Sequence, residues 1–188
     1  MAALLLPLLL ATGDAPASVY PAEAVLQAFG QACRGIKDYP ATVRAARALG
    51  WKDVAAEEEP HLRKLLSVGM TEAAQGHKTT ENFRRTVQGR TLYLALSRYA
   101  DGKSWGNGCR VYDFTAHAEM PEPLVEKWMK RPADFRQAQE GVLVKLSWEP
   151  GWDGDVTVES AYVPPGSALT ASTGLAGDVL VAQATGAP

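Results

Sequence analysis

The apolar pattern of the chain changes period between Val68 and Asn82, and this change limits what the chain can fold into. Before it, apolar residues recur at helical spacing. Ala22, Leu26, Phe29 and Cys33 share one face from Pro21 to Arg34, and Gly35 stands where a helix terminates. Pro40 suits a first helical position; Val43, Ala46 and Leu49 follow at intervals of three, and Gly50 closes the run. Leu62, Leu65 and Leu66 predict a third helix over Pro60 to Val68. Glu57, Glu58 and Glu59 supply negative charge at its N-terminal end.

After the change the period is two. Leu92, Leu94 and Leu96 alternate with Tyr93, Ala95 and Ser97, and Asn82 to Val87 can pair with them across Gln88-Gly89. Cys109, Val111 and Asp113 alternate with Arg110, Tyr112 and Phe114. Leu124 and Trp128 mark a short helix from Glu122 to Lys130. Val142 to Trp148 and Val156 to Tyr162 form a hairpin across Asp153-Gly154. The pattern predicts an α+β fold: N-terminal helices packed on one face of an antiparallel sheet of about five strands, with one inserted helix. Residues 18–188 read as a single domain. Beyond Pro164-Pro165-Gly166 the composition turns to Ser, Thr, Ala and Gly, which predicts a loosely ordered tail over 163–188 with one strand at Val179 to Ala182.

The N-terminal segment follows another rule. Ala2 to Ala11 is apolar, and Ala15-Pro16-Ala17 fits an A-x-A cleavage site, although the basic residue of a signal n-region is missing. Residues 1–17 therefore read as a signal peptide, the location as periplasmic or secreted, and the mature chain as lacking a membrane span. In an oxidising compartment the only two cysteines, Cys33 and Cys109, predict one disulfide; the alternative is two separate buried thiols. The formal net charge of -2 argues against a nucleic-acid partner.

Motifs for catalysis are fragmentary. Gly102-Lys103-Ser104-Trp105-Gly106 matches a nucleophile elbow in letters, and Ser104, Asp113 and His117 follow α/β-hydrolase order. An elbow needs a strand-to-helix turn, whereas this serine lies between two strands. Gly102-Lys103-Ser104 also fails as a phosphate loop, because Ser97 stands where that loop needs glycine. His117-Ala118-Glu119 lacks the downstream cysteines of a zinc deaminase, and His61 and His77 are isolated, so no metal and no cofactor is expected. Asp153 and Asp155, with Glu149 nearby, read as a hairpin tip rather than a calcium loop. Arg84, Arg85, Arg90, Arg98 and Arg110 read as the solvated outer face of the sheet. Of the five tryptophans, Trp51, Trp128 and Trp148 fall at core positions, while Trp105 and Trp152 fall at turns and are the candidates for a contact surface.

Phe29-x-x-x-Cys33, Gly50-Trp51 and Cys109-Arg-Val-Tyr-Asp-Phe114 together resemble a loosely defined group of small uncharacterised secreted proteins from alphaproteobacteria, over the region from about Pro21 to Trp148. The resemblance implies a secreted α+β domain with a cysteine pair and carries over no catalytic residue. The expected function is an exported, non-enzymatic domain that binds or inhibits an envelope or extracellular molecule. Its alternatives are a hydrolase using Ser104, Asp113 and His117, a thiol enzyme using Cys109, and a purely structural envelope protein. Export predicts that protein recovered from the envelope or medium begins at Ser18, as N-terminal sequencing will show; recovery with Met1 attached would overturn it.

Overall fold

A computed structural model of the chain describes residues 20–72 and 77–187; the expected signal peptide lies outside them. Among the described residues five α-helices and eight strands follow one another as α1 (Ala22–Cys33), α2 (Tyr39–Ala48), β1 (Lys52–Asp53), α3 (Pro60–Glu72), β2 (His77–Val87), β3 (Arg90–Ala100), β4 (Trp105–Asp113), α4 (Glu122–Met129), β5 (Phe135–Gln139), β6 (Leu143–Trp148), β7 (Val156–Val163), α5 (Ala168–Thr173) and β8 (Gly177–Gly186), with a short 3₁₀ helix at Ala56–Glu58 before α3. All strands join one antiparallel sheet in the order β1-β2-β3-β4-β8-β7-β6-β5.

The helices begin and end on local signals. Asp38 caps α2 by accepting a hydrogen bond from the Ala41 amide at 2.9 Å, with Pro40 in the first turn. Gly50 follows with φ +83°, a left-handed conformation open to glycine. The β2–β3 turn is the two-residue Gln88-Gly89, both at positive φ, which matches the twist of a tight hairpin and sets Val87 opposite Arg90.

Alternation along the strands divides the sheet into two faces. On the first, Leu92, Leu94 and Leu96 of β3, Cys109 and Val111 of β4, and Leu180, Ala182 and Ala184 of β8 pack with Val25, Leu26, Phe29 and Ala32 of α1, Val43 of α2 and Val125 of α4. Gly30 lets α4 lie close to α1: a Cβ there would sit 2.9 Å from the Trp128 ring. Phe29 is fully buried at the centre, so truncating it to alanine costs about 3–5 kcal/mol. On the second face, Ala95, Tyr112, Val179 and Val181 meet Leu62, Leu65 and Leu66 of α3. Lys64 donates to the Ala171 carbonyl and His61 Nδ1 donates to the Gly174 carbonyl at 2.9 Å, which ties α3 to α5.

Three expectations are corrected. The sheet has eight strands rather than about five, because β1 is too short and β5 too polar to show a period, and the tail holds a strand at the centre. Helices cover both faces rather than one, because Tyr93, Ala95, Tyr112 and Phe114 make the second face apolar enough to hold α3. Residues 163–187 are not a loose tail: they carry α5, and the expected strand at Val179 to Ala182 is present as part of the longer β8, which is hydrogen-bonded to β4 on one side and β7 on the other and is buried along most of its length.

The cysteines do pair. Cys33 at the end of α1 and Cys109 in β4 form a disulfide across a sequence separation of 76, with Cα atoms 5.5 Å apart. Beside it, Asn107 Nδ2 donates to the Ile36 carbonyl at 3.0 Å and to the Lys37 carbonyl at 3.2 Å. Closing a loop of this length stabilises the folded chain by up to about 4 kcal/mol. At a urea m-value of about 2 kcal/mol/M, full reduction should therefore lower the unfolding midpoint by up to about 2 M. An unchanged midpoint would show that packing alone holds α1 on the sheet.

Candidate functional site

The stretch from Tyr99 to Phe114 settles first, because it carries most of the expected site residues. Asp101 organises the β3–β4 turn: its Oδ1 accepts from the Lys103 and Ser104 amides at 2.8 Å each and from Ser104 Oγ at 3.2 Å, while Tyr99 donates to Oδ2 at 3.0 Å. These bonds, the two backbone amides foremost, pull the Asp101 carboxyl down to about 2. Gly102 takes φ +82° at the tip. Gly-Lys-Ser is thus a hairpin turn closed by an aspartate.

Ser104, Asp113 and His117 are not brought together. Ser104 precedes β4 and Asp113 ends it; the nine-residue length of the strand sets them about 30 Å apart. Asp113 is buried in an ion pair, accepting from Arg90 Nε at 2.7 Å and Arg90 Nη2 at 2.8 Å, and also from the Thr115 amide and hydroxyl. His117 is exposed in the loop beyond. Cys109 is half of the disulfide.

The two turn tryptophans sit in different surroundings, each half-buried. Trp105 opens β4, lies against Gly186 and donates its Nε1 to the Ala187 carbonyl at 2.9 Å. Trp152 belongs to an aromatic cluster, its ring centre 5.1 Å from Phe29 and 5.7 Å from Trp128, with the Arg34 guanidinium 5.3 Å away over its face. His61 stacks on Phe114 with ring centres 5.2 Å apart. Among the described residues, no three His, Cys, Asp or Glu side chains gather as a metal site would require.

A second acid stands opposite Asp113 across β4 and β8. Asp178 is buried, and burial first, then the Asp113 charge, push its carboxyl up to about 7; it lies beside the Tyr20 hydroxyl, itself pushed up by burial. The space reaching Asp178 measures about 20 Å³, room for a water and not for a substrate. This pair belongs to the fold.

Smaller spaces of about 450 and 410 Å³ lie beside Leu143 and beside Arg84; a groove of about 730 Å³, large enough for a ligand, lies on the second face of the sheet. Its roof is apolar, formed by Leu62, Leu65, Leu66 and Val68 of α3 with Leu169 of α5 and Leu175 beyond it. Its floor is polar: Ser97 and Tyr99 of β3, Gly106, Gly108 and Arg110 of β4, and Gln183 and Thr185 of β8. Arg110 is half-buried and Nη1 donates to Ser97 Oγ at 3.3 Å. Gly108 makes room for this contact; a Cβ there would stand 2.8 Å from Ser97 Oγ and against Arg110 Nη1. Among the described residues, Arg110 has no carboxylate within ion-pair distance, while Arg84, Arg90, Arg131 and Arg136 each have one.

Sequence reasoning placed Leu62, Leu65 and Leu66 inward but took Arg110 for an outer-face residue. The signal lay in the strand period: Gly106, Gly108 and Arg110 fall on one face, two bare positions leading to a cation. Trp105 reaches one end of the same groove, whereas Trp152 is not among its lining residues. No protein-family model, curated protein or solved structure matches the chain.

The Asp178 environment has a consequence for stability. With its folded pKa raised above the ordinary carboxylate range, the folded state binds the extra proton between about pH 4 and pH 7. Stability therefore falls as pH rises through that window, by on the order of a few kcal/mol, and levels off above it. Asp178→Asn should flatten this slope and raise the melting temperature at pH 8; an Asn variant with the wild-type slope would assign the loss to another group.

Proposed function

We propose that this chain is an exported, non-enzymatic binding domain whose ligand site is the groove under α3 and α5. The groove itself carries the reading: it is open, large enough for a small molecule, roofed by leucines and floored largely by polar groups. The Cys33–Cys109 bridge supports an oxidising compartment, periplasmic or extracellular, as does the apolar N-terminal segment with its A-x-A site. No helix among the described residues is long and apolar enough to cross a membrane. The same cysteine pair underlies the proposed likeness to the alphaproteobacterial secreted group. Trp105 stands at the end of the groove and belongs to the proposed contact surface.

A binding role fits this arrangement better than the hydrolase alternative, since Ser104 has its hydroxyl on Asp101 and lies a strand length away from Asp113. The uncharged fluorophore 1-aminoanthracene tests the groove directly. It should bind with a saturable rise in emission at one site per chain. Gln183→Trp, placed on the exposed part of the floor, should weaken binding at least tenfold while leaving thermal unfolding near wild type. Absence of saturable binding, or equal binding by a folded Gln183→Trp variant, would overturn the assignment.

A further inference from the structure

The chemical class of the ligand follows from the one charge in the groove, on the groove reading above. Arg110 is the only charged side chain among the described lining residues, and no described carboxylate neutralises it. A guanidinium half out of water without a counter-ion forgoes solvation that an ionised acceptor would return. Among the described residues Arg110 bonds through Nη1 to the Ser97 hydroxyl, which leaves the rest of the planar fork to meet an oxyanion, and the Ser97 O–H can donate to the same group. Next to this polar point, Leu62, Leu65, Leu66 and Leu169 offer a wall that asks for hydrocarbon.

We infer that the groove takes an amphipathic oxyanion, an acid head group on an aliphatic or aromatic tail, with the head on Arg110 and Ser97 and the tail along α3 and α5. Gly108 is the positioning residue, since its missing side chain lets Arg110 lie across the floor to reach Ser97. A head group of either carboxylate or phosphate type satisfies the fork. The tail contributes affinity, and the head fixes which end enters.

The test is displacement of 1-aminoanthracene from the oxidised chain by four probes sharing a twelve-carbon tail: dodecanoate, dodecyl phosphate, dodecan-1-ol and dodecyltrimethylammonium, each kept below its micellar concentration. At least one of the two acids should displace the dye at concentrations tenfold or more below the alcohol, and the ammonium should be weakest. The better acid identifies the head group. Arg110→Gln should erase the preference for acid over alcohol, read as the ratio of the two displacement constants within the variant at its own dye affinity. Gly108→Ala keeps the charge but moves it off Ser97, and should reduce the acid preference in the same direction. Equal displacement by acid and alcohol in the wild-type chain overturns the head-group assignment, as does an undiminished acid preference in Arg110→Gln. In either case continued dye binding leaves the groove assignment standing, whereas loss of dye binding in the wild type removes both. The acid–alcohol comparison needs no variant and decides the matter even if a substituted chain fails to fold.

Discussion

Strand β4 is fixed from one side, and everything on its other side depends on that. The disulfide joins Cys109 to the end of α1, and Asn107, two residues earlier on the same face, holds the α1–α2 connection through the Ile36 and Lys37 carbonyls. Within two strand residues a covalent bond and a pair of buried hydrogen bonds set the position of the helical layer. The alternate residues, Gly106, Gly108 and Arg110, face the opposite way and form part of the groove floor. Core and groove thus share one backbone. A floor clamped from behind has less freedom to lose when a ligand settles on it, which is the ordinary physical advantage of a preorganised site.

The second dependence is on the end of the chain. The sheet is built from two sequential groups, β1 to β4 and β5 to β7, and neither is paired with the other until β8 enters between them. Its register sets Asp178 opposite Asp113, and Ala182 opposite both Cys109 and Val158. Strand β8 is hydrophobic on both faces because it meets α1 on one and the α3 region on the other. Its pairing with β4 closes a long loop, so it belongs to the slow, non-local class of folding contacts. The disulfide spans the other half of the molecule and leaves this closure to hydrogen bonds and packing.

Much of this was legible in the residues. The 3.6-residue period before Val68 and the two-residue period after Asn82 correspond to α1 to α3 and to the β2–β3–β4 meander, and Gln88-Gly89 marks a turn that the structure contains. What escaped has physical reasons. Phe135–Gln139 lies at the sheet edge with every side chain exposed, so nothing in its polarity alternates. Val179 to Ala182 is an unbroken apolar run and was legible as a strand, but its Ser- and Thr-rich approach resembles a tail and hid the strand's length and central place. Which face receives a helix cannot be read from a period at all; it follows from Leu62 and its neighbours finding Ala95 and Tyr112 rather than the first-face core. Arg110 was visible as a strand residue facing away from Cys109, but its lack of a partner becomes evident only when the carboxylates are placed.

The groove is also something the packing requires. A helix laid flat on the floor would bury Ser97, Arg110, Gln183 and Thr185 under leucine side chains that offer no hydrogen bond, and each buried polar group left unpaired costs about 1–3 kcal/mol. Apolar contact is available only further along the face, at Ala95, Tyr112, Val179 and Val181, and there α3 does make contact. His61 and Lys64 then bond the helix to α5 and the turn after it. An opening between leucines and an uncompensated arginine is what this division leaves. On the proposed reading, a ligand apolar on one side and anionic at one end would fill it without leaving the arginine unpaired.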